Sequence, residues 1–304
     1  MVAGLAVESL DFGYKNVPVL HEVSLQAVPG QVTALVGPNA AGKSTLLKCI
    51  AGILRGRGQV YVHERALAEC SREEVVKLVA YLPQGVIPSA VLTVFEGILL
   101  ARQTGSTWRV GDADLTAVLE IMRRLELEPL ALRFLNELSS GQRQLVGVAQ
   151  SLVREPRVLL MDEPTSNLDL QHQMEVLEFV RSATRERDLV TIIAIHDLNL
   201  AARYADSFLV LSQGAVYGVG PAREALTPEM LRDVYRIEAE IWQGPDGAPF
   251  VAPLRALPNR KRLNESTLSE QLGSGQESVA PVAVDLRQGP GEGLTNAGGG
   301  VRLS

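Results

Sequence analysis

Gly37-Pro38-Asn39-Ala40-Ala41-Gly42-Lys43-Ser44-Thr45 decides the reading of this chain. The stretch fits the pattern G-x-x-x-x-G-K-[ST], and its flanks fit too. An apolar β-like run, Val32–Val36, precedes it, and a helix is predicted over 44–54 with apolar residues at Leu46, Leu47, Ile50 and Ile53. Strand, glycine loop and helix in that order open an α/β unit. Gly37 and Gly42 permit a tight loop whose backbone N–H groups point at phosphate oxygens. The helix N-terminus adds its dipole, and Lys43 brings a point charge to the β and γ phosphates. Ser44 is the expected Mg²⁺ ligand.

Three later segments complete a phosphate site. Val158-Leu159-Leu160-Met161-Asp162-Glu163 reads as a buried strand ending in two carboxylates. Asp162 is placed to hold Mg²⁺ through water, and Glu163 to polarise an attacking water as general base. His196 closes another apolar run, 190–195, where a hydrogen bond to a γ-phosphate is expected. Gln84 ends the strand Val79–Leu82 and can reach metal or water. Alone, each would be an ordinary strand end; after a phosphate loop they read as a hydrolysis site. Leu138-Ser139-Ser140-Gly141-Gln142 is a small-residue turn at the start of a helix, a second anion-binding design. One copy of the chain has no evident use for it, whereas two copies facing head to tail do.

The rest of the chain alternates strand and helix patterns. Strands are expected at 5–10, 23–27, 59–62, 208–212 and 215–218, the last two as a hairpin around Gln213-Gly214. Helices are expected at Arg72–Leu78, Val94–Arg102, 113–125 (with Gly111-Asp112 as loop and cap), 142–154 and 171–187. The stretch 93–155 reads as an inserted helical subdomain. From residue 254 onward Gly, Ser, Gln and Pro dominate without a period, so 254–304 is expected to be a disordered tail behind a domain spanning 1–253.

Composition bounds the function. Over 304 residues, 46% are apolar and 21% charged, as in globular domains, and the net charge is −6. Nucleic-acid coating needs clustered Lys and Arg, and with aromatics at 5% stacking platforms are also disfavoured; no nucleic-acid partner is expected. Two cysteines, Cys49 and Cys70, make neither a disulfide framework nor a zinc cluster, which suits a reducing compartment. The start has no signal-peptide pattern, and no apolar run approaches the ~18–20 residues of a membrane span.

On these motifs the chain resembles the ATPase subunit of an ABC transporter, over roughly 5–251. Gly37–Thr45 matches the Walker A motif, 158–163 the Walker B and 138–142 the family signature. Gln84 matches the Q-loop, Ser166-Asn167-Leu168-Asp169 the D-loop and His196 the switch histidine. The resemblance implies a P-loop ATPase fold, α/β with a helical subdomain and an N-terminal antiparallel β region. It also implies ATP and Mg²⁺ as cofactors, with Tyr14 stacking on adenine and Ser44, Gln84 and Asp162 around the metal. Ser139, Ser140, Gly141 and Gln142 of one copy would meet the ATP on the other, with Asp169 beside them. Two departures stand out. Ala40 replaces a frequent Gly of the loop, and Ser140 replaces the middle Gly of the commonest signature; both are small enough to leave backbone donors available.

The runs 168–177 and 196–204 resemble the subgroup that serves ferric siderophore, haem and cobalamin uptake. Ferric siderophore import is the first expectation, with haem or cobalamin import as alternatives and a soluble, non-transport ABC ATPase as the rival. Such soluble relatives carry two cassettes, and one phosphate loop and one signature occur here. The resemblance implies a second copy of the chain, a pair of permease subunits, and a periplasmic or surface solute-binding protein reached indirectly. It places the chain peripherally on the cytoplasmic face of the plasma membrane.

Overall fold

The computed structural model describes residues 4–15, 17–85, 91–103, 110–166 and 168–258. Strands β1 (Leu5–Tyr14) and β2 (Val17–Ala27) form a long antiparallel pair. Strand β3 (Val32–Val36) leads into the phosphate loop and helix α1 (Lys43–Ile50). Then come β4 (Arg57–Val62), β5 (Arg65–Ala66), α2 (Arg72–Leu78) and β6 (Val79–Leu82). The helical insert contributes α3 (Val94–Arg102), α4 (Asp112–Arg124) and α5 (Ser140–Leu152). After it follow β7 (Val158–Asp162), α6 (Leu170–Glu186), β8 (Val190–Ala194), α7 (Leu198–Tyr204), β9 (Ser207–Ser212) and β10 (Ala215–Gly220). Two short helices, α8 (Ala222–Ala225) and α9 (Pro228–Met230), precede a closing hairpin of β11 (Ile237–Gln243) and β12 (Pro249–Ala256).

Two sheets face each other. The smaller is antiparallel in the order β2-β1-β4-β5, and the larger runs β10-β9-β3-β8-β7-β6. In the larger sheet β9, β3, β8, β7 and β6 are parallel and only β10 is antiparallel. Strands β3, β7 and β8 are buried at every residue, as expected of parallel strands covered on both faces. One apolar core (Leu5, Leu35, Leu46, Leu47, Leu160, Ile192) lies between the two sheets and α1. The other (Val36, Ile98, Met122, Leu152, Met161, Val180) joins the opposite face to α3–α7. Helices α3, α4 and α5 therefore share a core with the sheet.

The predicted helix over 44–54 is too long. It ends at Ile50 because Gly52 takes φ 69 and closes a Schellman motif: Gly52 N–H donates to Cys49 O at 3.0 Å and Ile53 N–H to Lys48 O at 3.0 Å. Ile53, expected on the apolar helix face, lies beyond the end and is exposed. The domain boundary at 253 also falls inside an element. Strand β12 continues to Ala256, with Arg255 paired to Glu238 at 2.7 and 2.9 Å and Leu257 N–H on Arg236 O at 2.8 Å. The rest of the expected tail, 259–304, lies outside the described residues, as does Asn167 of the D-loop. Both cysteines are free thiols; burial pushes Cys49 up to about 11. Among the described residues no helix is long and apolar enough to cross a membrane.

Candidate active site

The carboxyl ends of four neighbouring parallel strands build the site, the place where open α/β sheets hold ligands. In sheet order, β3 delivers the phosphate loop, β8 delivers His196, β7 delivers Asp162 and Glu163, and β6 delivers Gln84. Local chemistry fixes the loop. Gly37 has φ 152, and a Cβ there would lie 2.2 Å from the Leu211 carbonyl oxygen of β9, which excludes any side chain. Lys43 is buried and curls back over its own loop, donating to Gly37 O at 2.7 Å and Pro38 O at 3.0 Å. Burial lowers its pKa, while Glu163 and then Asp162 pull it back up. The ammonium thus stays among the loop carbonyls, with carboxylates to hold its charge. Ala40 adopts φ 62, a left-handed conformation that costs a residue with a Cβ roughly 1–2 kcal/mol.

The predicted hydrolytic residues come together. Glu163 leaves β7 at φ 53, a rare conformation for a non-glycine residue. Its N–H still bonds Ala194 O at 3.1 Å, so the turn in the chain happens after the ladder ends. That turn brings its carboxylate between two partners: Gln84 Nε2 donates to Oε2 at 2.5 Å, and His196 Nε2 meets Oε1. Backbone strain of this kind persists where surrounding contacts over-determine it.

Asp162 is buried, and one oxygen is already engaged: Tyr81, from β6, donates its hydroxyl to Oδ2 at 3.3 Å. Oδ1 is buried without a hydrogen-bond partner among the described residues. An orphaned carboxylate oxygen inside a protein is unfavourable unless a cation or ordered water meets it. The donors nearby in the fold are Ser44 and Gln84, hard oxygen groups of the kind magnesium takes. Among the described residues no cluster of three or more His, Cys, Asp or Glu could hold a metal. A cation here would therefore rely on one carboxylate, neutral oxygens and phosphate oxygens, the usual magnesium arrangement.

No hydrogen bond among the described residues joins Tyr14, Ser139, Ser140 or Asp169 to this cluster. Tyr14 ends β1, half-exposed, with Phe12 edge-on at 4.9 Å. Ser139 caps α5: its Oγ accepts from Gln142 N–H at 3.2 Å, and Gln142 Oε1 accepts from Ser139 N–H at 3.1 Å. Ser139 and Ser140 are exposed, and no hydrogen bond among the described residues joins them to the phosphate loop. Ser140 is the first helical residue and needs no positive φ, so replacing glycine there strains nothing. Asp169 caps α6 and binds His172 twice, at the backbone N–H (2.9 Å) and at Nδ1 (2.7 Å).

Sequence reasoning missed two residues that touch this machinery, Tyr81 and Tyr235, and a third, Asn199, that is tied to it only through α7. Tyr81 was visible only as part of a strand. Asn199 joins α7 to the last strand, and Tyr235 buries its hydroxyl beside the Gly37 N–H. Each depends on a partner remote in sequence, so no local signal marks it.

A glycine loop at the end of a central parallel strand, with a lysine over it and carboxylates on the adjacent strand ends, defines a P-loop nucleotide-binding protein. The family model described as "ABC transporter" matches residues 20–166. An uncharacterized ABC transporter ATP-binding protein of Methanocaldococcus jannaschii is 39% identical over 251 residues, covering 82% of this chain and 98% of the relative. The iron(3+)-hydroxamate import ATP-binding protein of Bacillus subtilis is 34% identical, covering 85% of this chain and 98% of that one. A hemin import ATP-binding protein of Thermobifida fusca is 38% identical, with 83% and 89% covered. Among solved structures, an inward-facing metal-chelate type ABC transporter superposes with a TM-score of 0.72 at 27% identity, over 84% of this chain and 98% of that one. The chain belongs to the ATP-binding proteins of ABC transporters and is an ATPase.

Proposed function

We propose that this chain powers the import of a metal chelate, ferric siderophore first, by hydrolysing ATP on the cytoplasmic face of a membrane permease pair. The observation that carries the hydrolytic reading is the Glu163 carboxylate held between Gln84 and His196, beside an Asp162 oxygen that lacks a partner. The import reading rests on likeness to relatives named for siderophore, iron-hydroxamate, hemin and cobalamin import. Haem or cobalamin is the second reading for the cargo, which this subunit does not touch.

In this reading the N–H groups of Gly37, Pro38's successors Asn39, Ala40 and Ala41, and Gly42 to Thr45 cradle the phosphates, and Tyr14 stacks on adenine. Lys43 releases the loop carbonyls to meet the β and γ phosphates. Ser44, Asp162 and the amide oxygen of Gln84 would hold magnesium, which supplies charge neutralisation at the phosphates. Glu163 takes a proton from the attacking water, and His196 donates to the γ-phosphate. The exposed Ser139 and Ser140, with the half-buried Gly141 and Gln142, complete the site of a second copy, with Asp169 at the same interface. A cavity of about 710 Å³ between β6 and the helical insert, lined by Tyr81, Leu100, Gln144 and Arg154 among others, is the place where a permease segment would sit. The solute-binding protein would be reached only through that permease.

The test is co-purification of tagged Glu163→Gln chain from detergent-solubilised native membranes with ATP and Mg²⁺. A polytopic permease at equal stoichiometry supports the importer reading, and its binding protein can then be titrated with ferric siderophore, hemin and cobalamin. A soluble dimer with no permease moves the chain to the non-transport class and leaves the ATPase site intact.

A further inference from the structure

Asn199 lies on α7, three residues after His196, and commits its whole side-chain amide to one residue of the C-terminal hairpin. Its Oδ1 accepts from Val251 N–H at 2.7 Å, and its Nδ2 donates to Val251 O at 3.2 Å. Val251 sits opposite Ile241 in the β11–β12 register. Antiparallel partners alternate between hydrogen-bonded and open pairs, and a residue whose N–H and C=O both turn to Asn199 occupies an open pair. The amide thus acts as a single residue of an added strand, closing part of the hairpin's free edge.

The other end of α7 carries the chemistry. Asp197 caps the helix, accepting from Asn199 N–H at 2.8 Å and Leu200 N–H at 3.1 Å. Immediately before it stands His196, whose Nε2 meets Glu163 Oε1. A continuous path of covalent and hydrogen bonds therefore runs from Val251 through Asn199 and the Asp197 cap to His196 and Glu163. Apolar packing by Ile237, Ala239 and Ile241 already attaches the hairpin to the core. Such packing is non-directional and tolerates sliding, whereas a two-point amide clip fixes register. Nothing in hairpin attachment alone calls for the clip to fall on the helix that follows the switch histidine.

We propose that Asn199 is a positioning residue for hydrolysis, using Val251 of the C-terminal hairpin to fix the place from which His196 meets Glu163. The proposal rests on the roles assigned above to His196 and Glu163.

The test compares steady-state ATPase activity and thermal melting of the full chain for Asn199→Ala, His196→Ala and the double variant. Asn199→Ala is expected to lower kcat about tenfold while KM for ATP stays within about twofold, the pattern of an interaction lost in the transition state. In the His196→Ala background the same change is expected to cost nothing further, because Asn199 acts through that histidine. Equal slowing in both backgrounds, or a lowered Tm with kcat unchanged, overturns the proposal and leaves the role of His196 standing. Wild-type turnover by His196→Ala removes both. Should Asn199→Ala fail to fold, Asn199→Asp is measured by the same criteria; it keeps the size and the acceptor but sets a carboxylate against Val251 O.

Discussion

Gln84 Nε2 lies 2.5 Å from Glu163 Oε2, a donor at the end of β6 gripping a carboxylate at the end of the neighbouring strand β7. The contact joins the residue proposed to touch the metal to the residue proposed to activate water. Movement of one is felt by the other. Since Gln84 precedes the helical insert, that pair also links the hydrolytic carboxylate to the surface proposed for the permease.

Glu163→Gln keeps the side chain's size and hydrogen-bonding length but removes its capacity to take a proton. It is expected to bind ATP normally, to slow turnover by roughly 10²–10⁴-fold, and to accumulate an ATP-bound dimer on gel filtration. Hydrolysis at the wild-type rate would show that another group is the base.

Lys43→Ala removes the charge that meets the phosphates and leaves Gly37 O and Pro38 O without their donor. ATP affinity, read by equilibrium binding, is expected to fall by at least about tenfold, since charge-assisted bonds are worth roughly 1.5–3 kcal/mol each. In the wild type, the burial-lowered pKa means that affinity declines on alkalinisation before an ordinary lysine, at 10.5, would titrate.

Ala40→Gly relieves a left-handed backbone at an exposed position. It is expected to stabilise the chain by about 1 kcal/mol in denaturant unfolding, the reverse of the penalty for placing alanine at positive φ. A loss of stability would mean that the loop's conformation differs from the one described.

The Asp169–His172 pair at the start of α6 is pH-dependent. His172 is raised by its bond to Asp169, so its contribution is fully present below 6.5 and fades as pH climbs through the higher folded value. Asp169 is lowered by its bonds to the His172 backbone and ring, so its contribution is present above 3.8 and fades as pH drops through the lower folded value. The Tm difference between wild type and His172→Ala is expected to be largest between 3.8 and 6.5 and to shrink at alkaline pH. A difference that is flat with pH would show that the pair is not charged in the folded state.

The parallel core was legible because buried β-branched runs such as 158–161 and 190–195 carry their own signal. Helix ends were less so. The capping boxes at Ser71–Glu74 and Thr93–Glu96 agree with the predicted starts of α2 and α3, but the stop at Gly52 was overlooked behind the apolar Ile53. The hairpin β11–β12 was missed altogether: its outward face carries Trp242 and Phe250, exposed and stacked at 6.3 Å, and its alternation is blurred by prolines and charges.

What the sequence alone determined is the phosphate loop, the Asp-Glu strand end, the candidate histidine and glutamine, and through them the family. Those features are written in residues adjacent along the chain, where backbone period, glycine freedom and charge act locally. Tertiary structure decided how they meet. Gln84 and His196 stand 79 and 33 residues from Glu163, and only the strand order β3-β8-β7-β6 sets them on its two oxygens. The left-handed turn at Glu163, the orphaned Asp162 oxygen and the Asn199–Val251 clip arise in the same way. Each is a consequence of which backbone lies alongside, a choice made by the packing of the whole sheet.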